Sequence, residues 1–71
     1  MNTINPGEFE AERTAARIWR RLPAAARRVN TARARVERRR TLENMTAAAE
    51  LAAGYARMEA TYYDRLAQVA A

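Results

Sequence analysis

The sequence contains no cysteine and no histidine, and these absences exclude several kinds of site. Without cysteine, no disulfide and no thiolate metal ligand can form. Without either residue, a zinc site or a Cys–His nucleophile–base pair cannot be built. Serine is also absent, and no glycine-rich phosphate loop occurs. We therefore expect a protein that is not an enzyme and that has no metal, no cofactor and no small-molecule substrate.

Lysine is missing as well, so all 13 basic residues are arginine. Arginine makes two-pronged contacts to carboxylate and phosphate groups and stacks on aromatic rings. A GC-rich genome enriches arginine and alanine together, however, and this chain is rich in both. The absence of lysine is therefore weak evidence about function.

Long apolar runs are the third absence. No run approaches the roughly 20 residues that a membrane span requires, and no signal-peptide core is found near Met1. The apolar side of the arginine-rich segment is mostly alanine and valine with one tryptophan, which is a poor face for insertion at a membrane surface. We expect a protein that is neither secreted nor transmembrane, in the cytoplasm or within a virus particle.

The positive charge is concentrated in residues 13–40, which carry eleven arginines and a single acid, Glu37. At about 100° per residue, nine of these arginines fall within about 120° of one helix face. They are Arg13, Arg17, Arg20, Arg21, Arg27, Arg28, Arg35, Arg38 and Arg39. The opposite side carries Ala15, Ile18, Leu22, Ala26, Val29 and Val36, with Trp19 at its margin.

Such a pattern is typical of a surface helix whose charged face meets only water, and it is also typical of a face that docks on an anion. The candidate contacts to nucleic acid or to an acidic partner are Arg27, Arg28, Arg35, Arg38 and Arg39.

Local signals divide the chain into helical segments. Asn5, Pro6 and Glu8 have the spacing of a helix start with a capping box, and Ile4 and Phe9 have that of a hydrophobic staple. Three amphipathic stretches follow, at about 6–22, 24–41 and 45–70. Proline at position 23 predicts a break or kink, and the possible cap residues in 41–46 predict a turn.

The fold class is therefore all-α, with two to three amphipathic helices in a single small domain, 1–71, that has little independent core. A helical hairpin is favoured, and one extended long helix is the alternative.

Residues 46–70 form a coiled-coil-like segment. Its larger apolar side chains recur at spacings of three and four and fall within about 80° of one another. This seam packs either on the chain's own first half or on a partner. The candidate helix-packing residues are Trp19, Leu22, Leu51, Tyr55, Met58, Tyr62 and Leu66.

Residues 30–40 resemble the basic region of basic leucine zipper proteins. Asn30 and Arg38 stand eight apart, with Ala34 and Arg35 between them and Arg40 just after. The resemblance implies base reading in a DNA major groove by Asn30 and Arg38. It covers 11 residues, and the leucine repeat of that family is missing. The corresponding positions hold Ala47, Gly54, Thr61 and Gln68.

Together these features favour a structural or assembly protein. Its helices pack on copies of itself or on a larger partner, and its arginines meet acidic protein or nucleic acid, for example within a virus particle or another large complex. The alternative is a small nucleic-acid-binding regulator or packaging protein that uses the face between Arg13 and Arg40.

Overall fold

The computed structural model describes residues 6–70, with side chains from residue 9 onward. It contains two α-helices, α1 Pro6–Arg38 and α2 Leu42–Ala70. They pack against each other along their lengths, which confirms the helical hairpin and rules out one extended helix. The predicted capping residues Ile4 and Asn5, and the side chain of Glu8, lie outside the described part of the chain.

Helix α1 continues through Pro23 without a break. The stretches predicted as 6–22 and 24–41 therefore belong to one helix, which ends at Arg38 and not at residue 41. Proline removes the N–H that would bond to the carbonyl of Trp19, and this cost is greatest inside a packed helix. Pro23 is exposed, and water can therefore solvate the backbone on that side. Ala24, Ala25 and Ala26 favour helix immediately afterwards.

The chain reverses direction at residues 39–41, slightly before the predicted turn at 41–46. Thr41 caps α2, because its Oγ1 accepts a hydrogen bond from the backbone N–H of Asn44 at 3.1 Å. The Asn44 side chain in turn donates to the carbonyl of Arg39 at 2.9 Å. Thr41 is thus the cap among the candidates in 41–46, and α2 begins at Leu42.

The core is thin and lies on α1. The buried residues of the described chain are Ala11, Ala15, Leu22, Val29 and Ala32. Helix α2 contributes half-buried side chains but no buried one among its residues. The molecule is a rod of 58 × 15 × 13 Å, in which each of the two helices covers one side of the other.

Candidate interaction surfaces

The predicted arginine face lies on the side of α1 that points away from α2. All of its members are exposed, whereas Ala15, Leu22 and Val29 on the opposite side are buried. Arg39 lies in the turn, although its N–H still donates to the carbonyl of Arg35 at 2.9 Å. We call the eight helical members the arginine face: Arg13, Arg17, Arg20, Arg21, Arg27, Arg28, Arg35 and Arg38.

The arginine face has no acidic partner within the described side chains. From residue 9 to residue 70 the structure contains one ion pair, between Asp64 and Arg65 at 3.9 Å, and it lies on α2. The Arg13 guanidinium stands 5.6 Å from the centre of the Phe9 ring. The positive charge of this face is therefore not neutralised by described residues of the same chain.

One border of the arginine face lines the groove between the helices. Residues seven apart differ by only about 20° around a helix, so Arg21, Arg28 and Arg35 form a row. A cavity of about 540 Å³ lies beside this row, with Leu51 as its lining residue from α2. It brings together three of the five predicted anion contacts, Arg27, Arg28 and Arg35; Arg38 and Arg39 lie closer to the turn. We call this side of the hairpin the basic edge.

The predicted seam of α2 faces α1 of the same chain. Tyr55, Met58 and Tyr62 are half-buried, whereas Leu51 and Leu66 remain exposed at the margins. On α1, Leu22 is buried. Of the predicted packing residues, Leu22, Tyr55, Met58 and Tyr62 therefore pack within the hairpin, whereas Trp19, Leu51 and Leu66 remain exposed.

Three aromatic rings gather on the other side of the hairpin. The ring centroids of Trp19 and Tyr62 lie 5.4 Å apart, and those of Tyr62 and Tyr63 lie 5.2 Å apart in an edge-to-face arrangement. Trp19 is nevertheless 60% exposed and Tyr63 61%. The cluster therefore joins the two helices and also leaves a large apolar surface exposed to water.

This aromatic cluster borders a groove of about 280 Å³. It is lined by Trp19, Leu22, Pro23 and Ala26 of α1 and by Tyr55, Glu59, Tyr62 and Tyr63 of α2. A second groove, of about 310 Å³, lies nearer the turn. Its lining residues are Arg33, Val36, Glu37, Met45 and Ala48.

The two grooves lie along the same side of the molecule. Residues seven apart differ by about 20° around a helix, and residues fourteen apart by about 40°. This spacing relates Trp19, Ala26 and Arg33 on α1, and Met45 and Glu59 on α2. We call this side the aromatic edge. Its grooves are lined by three charged residues, Arg33, Glu37 and Glu59. The hairpin thus has one basic edge and one edge that is mostly apolar.

Sequence reasoning misses several members of these surfaces. Ala11 and Ala32 are buried, because alanine lets two helix backbones approach closely, but in an alanine-rich chain nothing distinguishes these two from the rest. The seam pattern leaves Tyr63 as a surface tyrosine and does not single out Glu59. Their place beside Trp19 depends on the pairing of the helices, which the sequence pattern leaves open.

Neither helix, over the described residues, is long and apolar enough to cross a bilayer. The sequence matches no family model, and no curated protein or solved structure is significantly similar to it. Function must therefore be inferred from the surfaces themselves.

Proposed function

We propose that this chain is a non-enzymatic assembly protein. Its amphipathic helices pack on copies of itself or on a larger partner, and its arginine face docks on an acidic protein surface or on nucleic acid. An accessory component of a virus particle or of another large complex is one role of this kind. The arginine face is the observation that supports the proposal best. Its eight members are exposed, and none of them forms an ion pair with a described side chain.

The geometry of the arginine face favours an extended anionic partner. From Arg13 to Arg38 the helix rises about 38 Å, so the charges form a line along the rod. An exposed line of like charges raises the local concentration of a polyanion and speeds its encounter with the protein. Guanidinium groups then bind carboxylate or phosphate oxygens in pairs.

A non-enzymatic role is supported by the side chains that are available. The chain lacks histidine, cysteine and serine, which supply most nucleophiles and general bases. The grooves of the described hairpin are open spaces along two helices. Most of the residues that line them are arginine, alanine and larger apolar or aromatic side chains. The other lining residues are Thr31, Pro23, Gly54 and the single glutamates Glu50 and Glu59. These surfaces are better suited to docking a partner than to enclosing a substrate.

A charge-matched pair of variants tests the arginine face. Arg28→Gln combined with Arg35→Gln removes two charges from the face, and Arg57→Gln combined with Arg65→Gln removes two from α2. Binding to a short DNA duplex and to polyglutamate is measured by fluorescence anisotropy over a series of salt concentrations. We expect the first variant to weaken binding, and with DNA to reduce the log–log salt slope by about 1.8, that is, about 0.9 for each phosphate that is no longer neutralised. The α2 variant should keep the wild-type slope. An equal weakening in both variants would contradict a localised docking face.

The alternative is a nucleic-acid-binding regulator or packaging protein. The observation in its favour is the basic edge, where Arg27, Arg28 and Arg35 surround one open cavity and could follow a phosphate backbone. About six phosphate contacts would give a salt slope near −5. Binding of the duplex but not of polyglutamate would favour this alternative.

The leucine-zipper comparison does not extend to the structure. Basic regions of that family belong to continuous helices that run on into the zipper, whereas α1 ends at Arg38 and the chain turns back. Asn30 and Arg38 therefore lie on one arm of a hairpin, and we do not propose base reading by these two residues.

A further inference from the structure

A single hairpin leaves more surface exposed than a globular protein of its mass. Its accessible area is 5852 Å², whereas a compact 8.0 kDa monomer exposes about 4,450 Å². Its radius of gyration is 16.5 Å, against about 11 Å for a compact chain of this length. The elongated hairpin therefore exposes about 1,400 Å² more surface than a compact monomer of the same mass.

We infer that the aromatic edge is a self-association surface, and that two copies of the chain dock there as an antiparallel four-helix bundle. This inference rests on the proposed assembly function and names the partner as a second copy. The exposed aromatic residues Trp19 and Tyr63 would form the centre of the interface, and Met45 would extend it toward the turn.

The dimensions of the edge suit such a dimer. The rod spans 58 Å by 15 Å, so one of its sides has a projected area of roughly 900 Å². A second copy that covered nearly the whole side would therefore bury an area close to the about 800 Å² per partner of a stable interface. The edge also presents one ridge from each of two antiparallel helices. A two-fold rotation can therefore place α1 of one copy beside α2 of the other. Both copies then use the same surface, as in an isologous contact.

Charge selects the aromatic edge over the basic edge. The grooves of the basic edge are lined by three arginines, Arg27, Arg28 and Arg35, and by one glutamate, Glu50. Pairing through that edge would therefore bring together six arginines and two glutamates. The grooves of the aromatic edge carry one arginine and two glutamates, so the charges that meet there are few and of both signs. The two arginine faces would then lie on the outside of the bundle. At an ionic strength of about 0.1 M the Debye length is roughly 10 Å, so salt would screen the repulsion between them.

Single charges placed on the surface of the hairpin test this inference. Tyr63→Arg and Met45→Arg add a charge to the aromatic edge at residues that are already exposed. Thr61→Arg is the matched control, since it adds the same charge to exposed surface on another side of α2. Light scattering of the full chain should give a mass of two chains for the wild type and for Thr61→Arg, and of one chain for the two edge variants.

Trp19 fluorescence gives a second measurement that does not depend on a folded variant. Trp19 is the single tryptophan of the chain, so its emission reports the edge directly. Dilution of the wild type should shift the emission to longer wavelength as the dimer dissociates, while circular dichroism follows the helix content. A wild type that is helical and monomeric at every concentration would overturn the inference. A dimer whose mass survives both edge variants would also overturn it.

The arginine proposal is tested separately from this inference. A monomer that still binds polyanions in a salt-dependent way would contradict the dimer and would support the arginine face as a docking surface. A dimer split by the edge variants that binds neither DNA nor polyglutamate would support the interface and contradict the docking role.

Discussion

Trp19 and Tyr62 lie with ring centroids 5.4 Å apart and planes inclined by 32°, which joins α1 and α2 far from the turn that connects them. The Tyr62 ring also lies edge-to-face with the Tyr63 ring, with centroids 5.2 Å apart. Closure of the hairpin therefore depends on apolar contacts along its whole length, and the same contacts leave Trp19 partly in water. The strength of this apolar layer can be measured by truncating one of its side chains.

Leu22→Ala should destabilise the hairpin far more than Leu42→Ala. Leu22 is 8% exposed and Leu42 is 78% exposed, so the same truncation opens a cavity at the first position and almost none at the second. Truncation of a buried leucine costs about 2–5 kcal/mol, which is a large part of the stability of so small a core. Urea unfolding followed by circular dichroism measures both. Equal midpoints for the two variants would contradict the described core.

The cap of α2 gives a second matched pair. Thr41→Ala removes the acceptor of the Asn44 N–H and should cost about 1 kcal/mol. Thr46→Ala changes an exposed position inside α2, where alanine favours helix by a few tenths of a kcal/mol. The thermal midpoint should fall for the first variant and hold or rise for the second. The reverse order would place the start of α2 elsewhere.

Gly54 has room for a side chain. It lies inside α2 without a positive φ angle, and an added Cβ would meet only the Arg57 guanidinium at 3.9 Å. Gly54→Ala should therefore stabilise the chain by about 0.8–1 kcal/mol, and Ala53→Gly on the exposed neighbour should cost a similar amount. Differential scanning calorimetry measures the two shifts. A drop in stability in Gly54→Ala would mean that another surface packs closely on this glycine.

Pro23→Ala should stabilise α1, because it restores a backbone N–H that can donate a hydrogen bond to the carbonyl of Trp19. An interior proline costs up to about 3 kcal/mol relative to alanine. Pro23→Gly should give a smaller gain, since it restores the donor but has a low helix propensity. The denaturant midpoint should rise in both variants, and more in Pro23→Ala than in Pro23→Gly. A decrease in both would show that the proline ring itself contributes packing beside Trp19.

Much of this architecture follows from the sequence, for reasons that particular residues make clear. The opposition of Arg28 to Val29 and Leu22 around one helix predicts which side of α1 is buried. The position of Pro23 predicts a break or a kink. The helix has no break there, because local propensity on both sides and the packing along α2 outweigh one missing hydrogen bond.

The aromatic edge is beyond the reach of sequence reasoning. Its central contact joins Trp19 to Tyr62, and this pairing depends on where the chain turns. A turn shifted by a few residues would change the register of the two helices and place another side chain beside Trp19. The division of the hairpin into a basic and an aromatic edge follows from that register.

Light scattering of the purified chain, with and without a short DNA duplex, at low salt and at roughly 0.5 M salt, tests the assembly role most directly. We expect a mass of two chains at both salt concentrations without DNA, since the aromatic edge is mostly apolar. We also expect added mass from the duplex, or from polyglutamate in its place, at low salt only. A chain that is a helical monomer under every condition and that binds neither polyanion would contradict the assembly role.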